Sequence, residues 1–244
     1  METWGLIRGG SCPEQEIWQE LERSRVTALV GGGGKTSLLC ALGRRAAGQG
    51  KRVILTTTTH LRRPDELPLC RSWADCGEQW RRGSFALWCG DRGGEKLEAL
   101  SREDFTRALV ADLVLVEADG ARMLPCKVPA DHEPAIPKEA ELVLGVMGLD
   151  AWDRPIREVC HRWELACERL GCTPEHRLTA EDMARILCSD WGTARNTEGR
   201  SYFPVLNKCD NEERRRAGEE ILRLLWETKR MRGILTCVKG EAYE

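Results

Sequence analysis

Four glycines stand directly before a lysine and a threonine in the stretch "LVGGGGKTSLL", residues 29–39. The full phosphate-loop pattern G-x-x-x-x-G-K-[ST] would need a glycine at Leu29, but the shorter pattern G-x-x-G-K-T fits from Gly31 to Thr36. Backbone N–H groups at the start of a helix converge on an anion, and the helix dipole adds to the attraction. We therefore predict a phosphate-binding loop, with Lys35 at the outer phosphates and Thr36 on Mg²⁺. The predicted nucleotide contacts are Gly31, Gly32, Gly33, Gly34, Lys35, Thr36 and Ser37. The alternative is a flexible turn before an ordinary helix.

Two carboxylates follow the most strand-like run of the chain, "DLVLVEADG" (112–120). Ligands of open α/β sheets bind beyond the carboxyl ends of the strands, and carboxylates there can hold Mg²⁺ directly or through water. Glu117 and Asp119 are therefore predicted to position Mg²⁺ or an attacking water, which makes Thr36, Glu117 and Asp119 the candidate metal ligands. A strand that simply ends in a polar turn is the alternative.

The identity of the base depends on "NKCD", residues 207–210. Asn207, Lys208 and Asp210 match the N-K-x-D motif of GTPases, in which the aspartate accepts hydrogen bonds from guanine. The short glycine loop instead resembles that of the Mur-ligase type of ATP enzymes, so the cofactor is GTP or ATP, with GTP favoured. Glu117-x-x-Gly120 also resembles the E-x-x-G turn of metal-chaperone GTPases, which implies that the Gly120 N–H contacts the γ-phosphate.

A run of hydroxyls, "TTTTH" (56–60), ends the second predicted strand. Alternate threonines face the same side of a strand, so two of them could reach Mg²⁺, the γ-phosphate or a bound substrate, although threonines are also good strand formers. We assign Thr58 and Thr59 to substrate binding and predict a catalytic role for His60.

The stretch 121–137, "ARMLPCKVPADHEPAIP", holds four prolines and is too apolar for a flexible linker. We interpret it as a functional loop that contributes Lys127, His132 and Glu133 to a substrate site. His60, His132 and Glu133 could form a metal or catalytic cluster if this loop folds over the nucleotide; the alternative is hydrogen-bonded structural residues. Cys126 could carry sulfur or selenium as a thiolate, or serve as a small apolar residue.

The elements that must position these residues alternate between strand and helix. "RVTALV" (25–30), the glycine loop, a helix over 35–48 and "KRVILTTTTH" (51–60) form a βαβ unit, whose crossover makes the strands parallel. Further strands are predicted at 84–90, 112–120, 141–148, 201–210 and 233–239, and further helices at 101–110, 156–170, 178–190 and 211–230. The expected fold is a single α/β domain over 1–244, with a P-loop NTPase-like, doubly wound and mostly parallel sheet.

Composition narrows the class of protein. The chain has 244 residues, a formal charge of -2 and no signal-peptide pattern, and no apolar run approaches the roughly 18 to 20 residues that span a bilayer. We therefore expect a cytoplasmic protein that binds neither nucleic acid nor membrane. Its twelve cysteines contain no C-x-x-C pair, so most should be free thiols.

Taken in order, "VGGGGKTSLL", "VILTTTTH", "VEADGARMLPCKVPADHEPAIP", "VMGLDAWDRP", "CHRWE" and "VLNKCD" resemble the YqeC family of selenium-dependent molybdenum hydroxylase accessory proteins, from about residue 25 to the C-terminus. The resemblance implies a role in maturing these hydroxylases, with the hydroxylase or its cofactor- or selenium-delivery proteins as partners. Three functions are consistent with the motifs and the resemblance. They are an Mg²⁺-dependent NTPase switch, an ATP-dependent transferase for a selenium or cofactor substrate, and a non-hydrolysing carrier or scaffold. A homodimer is left open.

Overall fold

The structure, a computed structural model, describes residues 2–4, 13–64, 67–91, 93 and 96–238, with the backbone alone at 2–4 and 13–16. These residues form a nine-stranded sheet and two two-stranded sheets. The strands are β1 Glu2–Trp4, β2 Val26–Gly31, β3 Val53–Thr57, β4 Leu61–Arg62, β5 Leu69–Cys70, β6 Ala86–Trp88, β7 Lys96–Leu97, β8 Leu113–Glu117, β9 Cys126–Lys127, β10 Leu142–Gly148, β11 Cys160–His161, β12 Ser201–Asn207 and β13 Ile234–Cys237.

The nine-stranded sheet has the order β1-β13-β12-β10-β2-β8-β3-β6-β5. Strand β1 is antiparallel to β13, and every other neighbouring pair is parallel. The prediction of a mostly parallel, doubly wound α/β sheet is therefore confirmed. Strand β2, which leads into the glycine loop, lies at the centre of the sheet between β8 and β10.

Helices cover both faces of this sheet. They are α1 Pro13–Arg23, α2 Lys35–Gly48, α3 Trp73–Arg81, α4 Arg102–Ala108, α5 Ile156–Val159, α6 Trp163–Leu170, α7 Ala180–Cys188 and α8 Glu212–Lys229, with a 3-10 turn at Leu149–Ala151. Alternate residues of each strand face opposite sides. In β8, Leu115 packs in the core that contains Leu38 and Leu42 of α2, whereas Val114 packs with Cys76 of α3. The continuous apolar runs of the sequence are therefore explained by burial on both faces.

One predicted helix is wrong. The stretch 156–170 is divided into α5, the short strand β11 and α6, because Cys160 and His161 pair in parallel with Cys126 and Lys127 of β9. The chain then turns at Arg162, which has a φ of 62°, before α6 begins. The stretch 121–137 is correspondingly not free of regular structure, since it supplies β9.

The strands that carry the candidate site end earlier than predicted. Strand β3 ends at Thr57 and β8 ends at Glu117, so the polar residues that follow them lie in loops at the carboxyl edge of the sheet. The last strand is shorter than 233–239, and Lys239 lies outside the described residues.

Two expectations concern the chain as a whole. The described cysteines are free thiols, as predicted; Cys12 lies outside the described residues. None of the helices formed by the described residues is long and apolar enough to cross a membrane.

Candidate functional site

The glycine loop connects the centre of the sheet to the first turn of α2. Three of its glycines have left-handed backbone angles, with φ values of 95° at Gly31, 75° at Gly33 and 100° at Gly34. A Cβ atom on Gly33 would lie 2.0 Å from the backbone nitrogen of Gly148, and one on Gly31 would lie 2.2 Å from the carbonyl oxygen of Val146. Both the backbone angle and the close approach of β10 therefore require glycine at these two positions.

The loop uses its first three amides to hold its own shape. The N–H of Gly31 donates to both carboxylate oxygens of Asp119, at 3.1 and 3.0 Å. The N–H of Gly32 donates to the carbonyl of Val146, and that of Gly33 donates to the carbonyl of Leu124. These three amides were predicted as nucleotide contacts, but in this structure their hydrogens are directed at protein acceptors.

The donors that remain for an anion lie one residue further on. Gly34 is the N-cap of α2 and has no side chain to cap the helix. Among the described residues, no acceptor is found for the N–H groups of Gly34, Lys35, Thr36 and Ser37. Because the first amides of a helix have no partner within it and the helix dipole is positive at this end, this turn favours a bound anion.

Lys35 begins α2 and points back into the protein. Its ammonium lies 2.6 Å from the carbonyl oxygen of Gly31, 3.1 Å from Asp119 Oδ1 and 3.9 Å from Glu117 Oε1, and the side chain is 4% exposed. Burial alone would lower the pKa of Lys35, but the charges of Asp119 and Glu117 outweigh it and raise the pKa above its ordinary value. Lys35 is therefore a buried cation, held beside the turn where an anion would bind.

Thr36 and Glu117 bring a hydroxyl and a carboxylate together. Thr36 Oγ1 donates to Glu117 Oε2 at 2.7 Å. Burial raises the pKa of Glu117, and the positive charge of Lys35 and the Thr36 hydrogen bond oppose that rise. The backbone carbonyl of Glu117 accepts from Thr57 Oγ1 and from the N–H of Thr58, which fixes the end of β8 against the end of β3. Mg²⁺ prefers oxygen ligands and is commonly held by one or two protein oxygens with substrate phosphates, so this pair fits the cation.

Lys127 forms the centre of a second set of contacts. It is fully buried, and its ammonium lies 2.6 Å from the Gly120 carbonyl, 3.1 Å from Asp119 Oδ2 and 3.0 Å from Glu133 Oε2. Arg162 Nη1 lies 2.6 Å from the same Glu133 oxygen. The ion-pair chain defined by these contacts alternates in charge, and its members in order are Glu117, Lys35, Asp119, Lys127, Glu133 and Arg162.

Glu133 stays ionised inside this chain. Burial by itself would raise its pKa, but the hydrogen bond and charge of Lys127, the N–H of Ala130 and the guanidinium of Arg162 together lower the pKa below the ordinary value. Lys127 and Glu133, predicted as substrate contacts, are thus bound to each other and to Asp119 and Arg162.

The proline-rich stretch 121–137 packs directly on the glycine loop. The carbonyl of Leu124 accepts the N–H of Gly33 at 3.1 Å, and that of Pro125 accepts the N–H of Gly148 at 2.9 Å. On its other side, the carbonyl of Ala135 accepts a hydrogen bond from Thr58 Oγ1 at 2.7 Å. A movement of this stretch would therefore shift the glycine loop and the residues after it that would hold phosphate.

The "NKCD" segment meets the same loop. Asn207 Nδ2 donates to the carbonyl of Gly33 at 2.9 Å, and its Oδ1 accepts from Thr236 Oγ1. Lys208, with a φ of 63°, contacts Asp150 Oδ2 at 2.6 Å. Asp210 is half exposed, and both of its carboxylate oxygens lie within 2.7 Å of Arg214 Nη1.

The predicted histidine cluster is not formed. His60 and His132 are exposed, whereas Glu133 is turned towards Lys127. No group of three or more His, Cys, Asp or Glu side chains that could hold a metal occurs in the described part of the chain. Thr59 Oγ1 is buried and lacks a hydrogen-bond partner among the described residues.

Cys126 is buried in β9, directly opposite Cys160 of β11.

Two sizeable cavities lie away from the glycine loop. One, of about 510 Å³, opens at the amino ends of β10 and β12, and the other, of about 820 Å³, lies between α7 and α8. Neither is lined by the residues predicted for the site.

Sequence reasoning missed two residues of the site. The sequence predicts a helix through Arg162, in the motif "CHRWE", because the two-residue strand before it has no periodicity to detect. Asp150 is not among the predicted site residues, although it lies in "VMGLDAWDRP", two residues after the end of β10. The end of a parallel strand was the signal that could have identified it.

Comparison with known proteins places this site in a family. A family model described as YqeC protein matches residues 27–164, which include the glycine loop and the whole ion-pair chain. A protein of Escherichia coli (strain K12), described as uncharacterized protein YqeC, is 32% identical over 217 residues, covering 84% of each chain. No solved structure matches. The chain belongs to the YqeC family.

Proposed function

We propose that this protein is an Mg²⁺-dependent nucleoside-triphosphate-binding protein, and an NTPase, that assists the maturation of selenium-dependent molybdenum hydroxylases. The nucleotide part is supported by geometry and the pathway by the family resemblance. The observation that carries the proposal is the convergence at the start of α2, where Lys35 and the Thr36–Glu117 pair adjoin uncapped helix amides.

Each group has a distinct task in this proposal. The amides from Gly34 to Ser37 would bind phosphate oxygens, and Lys35 would leave Asp119 to meet the outer phosphates. Thr36 Oγ1, with Glu117 and Asp119, would hold Mg²⁺, which neutralises charge on the transferred phosphoryl group. Glu117 or Asp119 would orient the attacking water. Attack on the γ-phosphorus breaks its bond to the bridging oxygen and gives a nucleoside diphosphate and phosphate.

We favour GTP over ATP because Asn207, Lys208 and Asp210 match the N-K-x-D motif, and this segment contacts the glycine loop. The contact between Asn207 and Gly33 supports this, since it holds the segment beside the start of α2. Asp210 follows on the same segment, and its half-exposed carboxylate, which is paired with Arg214 in this structure, would leave that partner to accept from guanine. Replacing Asp210 with Asn should weaken binding of a GTP analogue and leave an ATP analogue unaffected; unchanged discrimination would contradict the guanine assignment.

The proline-rich stretch supports a switch rather than a passive binding site. It contacts the glycine loop through Leu124 and reaches the Lys35 ammonium through Lys127 and Asp119. In the proposal, loss of the γ-phosphate would move this stretch and change a surface that faces the hydroxylase or its cofactor- or selenium-delivery protein.

Calorimetric titration of the full chain with non-hydrolysable GTP and ATP analogues, each with and without Mg²⁺, tests the proposal. We expect Mg²⁺-dependent binding that Lys35→Ala weakens at least about tenfold, because a charge-assisted contact is lost. Lys138→Ala, which removes an exposed lysine outside the site, is the matched control. Absence of binding by either analogue would contradict the proposal, and binding without phosphate release from the natural nucleotides would favour the carrier function.

A further inference from the structure

Two cysteines face each other where the stretch 121–137 pairs with the segment before α6. Cys126 of β9 is the direct register partner of Cys160 of β11. Neighbouring strands lie about 4.8 Å apart, and this spacing falls within the range of about 4.4–6.8 Å that separates the Cα atoms of disulfide-bonded cysteines. The backbone therefore already holds the two residues at a separation that a disulfide can span.

The two side chains also lie on the same face of the ladder. Successive residues of a strand alternate between faces, so residues in direct register share one. Cys126 and Cys160 are 0% and 1% exposed and belong to one apolar core cluster, whereas Lys127, the next residue of β9, extends its ammonium to Asp119 and Glu133. A hydrogen bond between the two thiols, together with burial, raises the pKa of Cys160 well above its ordinary value, which agrees with contact between their sulfur atoms.

The same ladder holds residues of the candidate site. Strands β9 and β11 have two residues each, and beyond them the N–H of Val128 donates to the carbonyl of His161 at 3.2 Å. Lys127 precedes Val128 and Arg162 follows His161, and both of these cations contact Glu133. A covalent bond one register position away would therefore keep this end of the ion-pair chain closed.

A ladder of this size can open without unfolding of the whole sheet. Small elements with few backbone hydrogen bonds open locally at a much lower free energy than the core strands do. Met123, three positions before Cys126, is 84% exposed, so the chain reaches solvent close to β9. We therefore expect the two thiols to be shielded while the ladder is closed and to react when the stretch 121–137 lifts.

We propose that Cys126 and Cys160 form a reversible disulfide, a covalent site whose co-substrate is a small-molecule disulfide such as oxidised glutathione. One cysteine, as its thiolate, attacks a sulfur of the small disulfide; a mixed disulfide forms, and the first small thiolate leaves and takes up a proton. The second protein thiolate then attacks the protein sulfur of the mixed disulfide, and the second small thiolate leaves and takes up a proton. The two cysteines lose two electrons and two protons, and the small disulfide is reduced to two thiols.

The disulfide would hold the stretch 121–137 in its present position on the glycine loop. This effect rests on the proposed function, in which the stretch moves when the γ-phosphate is lost, whereas formation of the bond does not depend on a nucleotide. Arg122 is exposed and offers trypsin a cleavage point in the stretch. In the reduced protein, cleavage there should differ in rate between a non-hydrolysable GTP analogue and GDP, and in the oxidised protein this difference should be lost.

The experiment is oxidation of the folded full chain with excess oxidised glutathione, followed by blocking of free thiols and mass spectrometry of the peptides. We expect a linked pair of peptides, lighter by two hydrogen masses, that joins Cys126 to Cys160 and separates on reduction. Cys126→Ala and Cys160→Ala, which keep a small apolar side chain, should each abolish the link. Cys188→Ala, at a half-buried cysteine of α7, should leave it unchanged.

Three outcomes would overturn the inference: no link between the two cysteines, a link that forms only in denaturant, and a link confined to Cys167 and Cys172. The last pair adjoins at the end of α6, where the N–H of Cys172 donates to the Cys167 carbonyl, so it competes for the oxidant. A link between Cys126 and Cys160 in a protein that ignores nucleotides would retain this site and contradict the proposed function. Nucleotide binding by a protein that never forms the link would do the reverse, and a trypsin difference that survives oxidation would contradict the effect on the stretch.

Discussion

Basic and acidic side chains form ion pairs in two regions of the molecule, one buried in the protein and one exposed to solvent. The ion-pair chain from Glu117 to Arg162 lies inside the protein, and its central cation, Lys127, is fully buried. The exposed face of α8 carries a ladder of arginine–glutamate pairs in which the Arg223 side chain is 45% exposed. Both regions pair basic side chains with carboxylates, and the main difference between them is the exposure of those side chains to solvent.

The environment decides what each pair contributes. Removal of a charge from water costs several kcal/mol, and only good geometry with further hydrogen bonds offsets that cost. Asp119 meets this condition because it contacts Lys35, Lys127 and the Gly31 N–H. On α8 both partners remain hydrated, so the attraction is screened and contributes little. The buried ion-pair chain is costly to form and lies beside the uncapped amides of α2, which supports the proposed phosphate site, whereas the ladder on α8 is a solvated surface.

Substitution of Lys127 should have the largest effect on folding. Lys127→Met leaves Asp119 and Glu133 without their shared cation in the interior, and breaking a buried pair in this way costs about 3–5 kcal/mol. Urea denaturation monitored by circular dichroism would measure the loss. Lys138→Met, at an exposed lysine, is the matched control. A loss for Lys127→Met no larger than that of the control would show that the chain is solvated in solution.

A double-mutant cycle should sharpen the comparison further. Because Lys127 and Glu133 are in contact within one network, the effects of Lys127→Met and Glu133→Gln on unfolding free energy should not add, and the coupling should be about 0.5–3 kcal/mol. The same denaturation experiment on the two single variants and the double variant measures it. Additive effects would mean that the 3.0 Å contact has no energetic consequence.

The stability of the protein at acidic pH should also depend on this network of ion pairs. The pKa of Glu133 is lowered in the folded protein, so its contribution is present above the unfolded value of about 4.3 and is lost as the pH falls through the folded value. Melting temperatures measured from pH 7 down to pH 3 should therefore decline below about pH 4.3, and Glu133→Gln should decline less steeply there. If the melting temperatures of the native protein and Glu133→Gln declined in parallel, the ionised Glu133 side chain would not contribute to stability through this network.

The sequence predicted the parts of this molecule that depend on local pattern. Continuous apolar runs such as 113–116 and 142–147 predict the parallel sheet, and the glycine run before Lys35 predicts the turn at the start of α2. Carboxyl ends of parallel strands gather at one edge, so the approach of Glu117 and Asp119 to Lys35 also followed from topology.

The remainder depends on contacts between distant segments. The pairing of β9 with β11 joins residues more than thirty positions apart, and each strand has only two residues. No sequence periodicity therefore predicts the pairing. That pairing brings Arg162 to Glu133 and turns Lys127 inward, which explains why Lys127 was assigned to substrate and Arg162 to a helix. The sequence likewise does not predict that protein acceptors occupy the first three amides of the glycine loop. Those hydrogen bonds depend on where Asp119, Val146 and Leu124 pack.

The ladder on α8 should give the smallest effect of all. Arg223 contacts Glu220 and Glu227 one turn away on either side, but every partner is largely hydrated. Replacing Arg223 with Gln should therefore leave the melting temperature within the scatter of repeated measurements, at both low and high salt, since screening removes what attraction remains. A clear loss of stability at high salt would mean that these pairs act as the buried ones do, and the distinction between the two regions would then have to come from packing rather than from solvent.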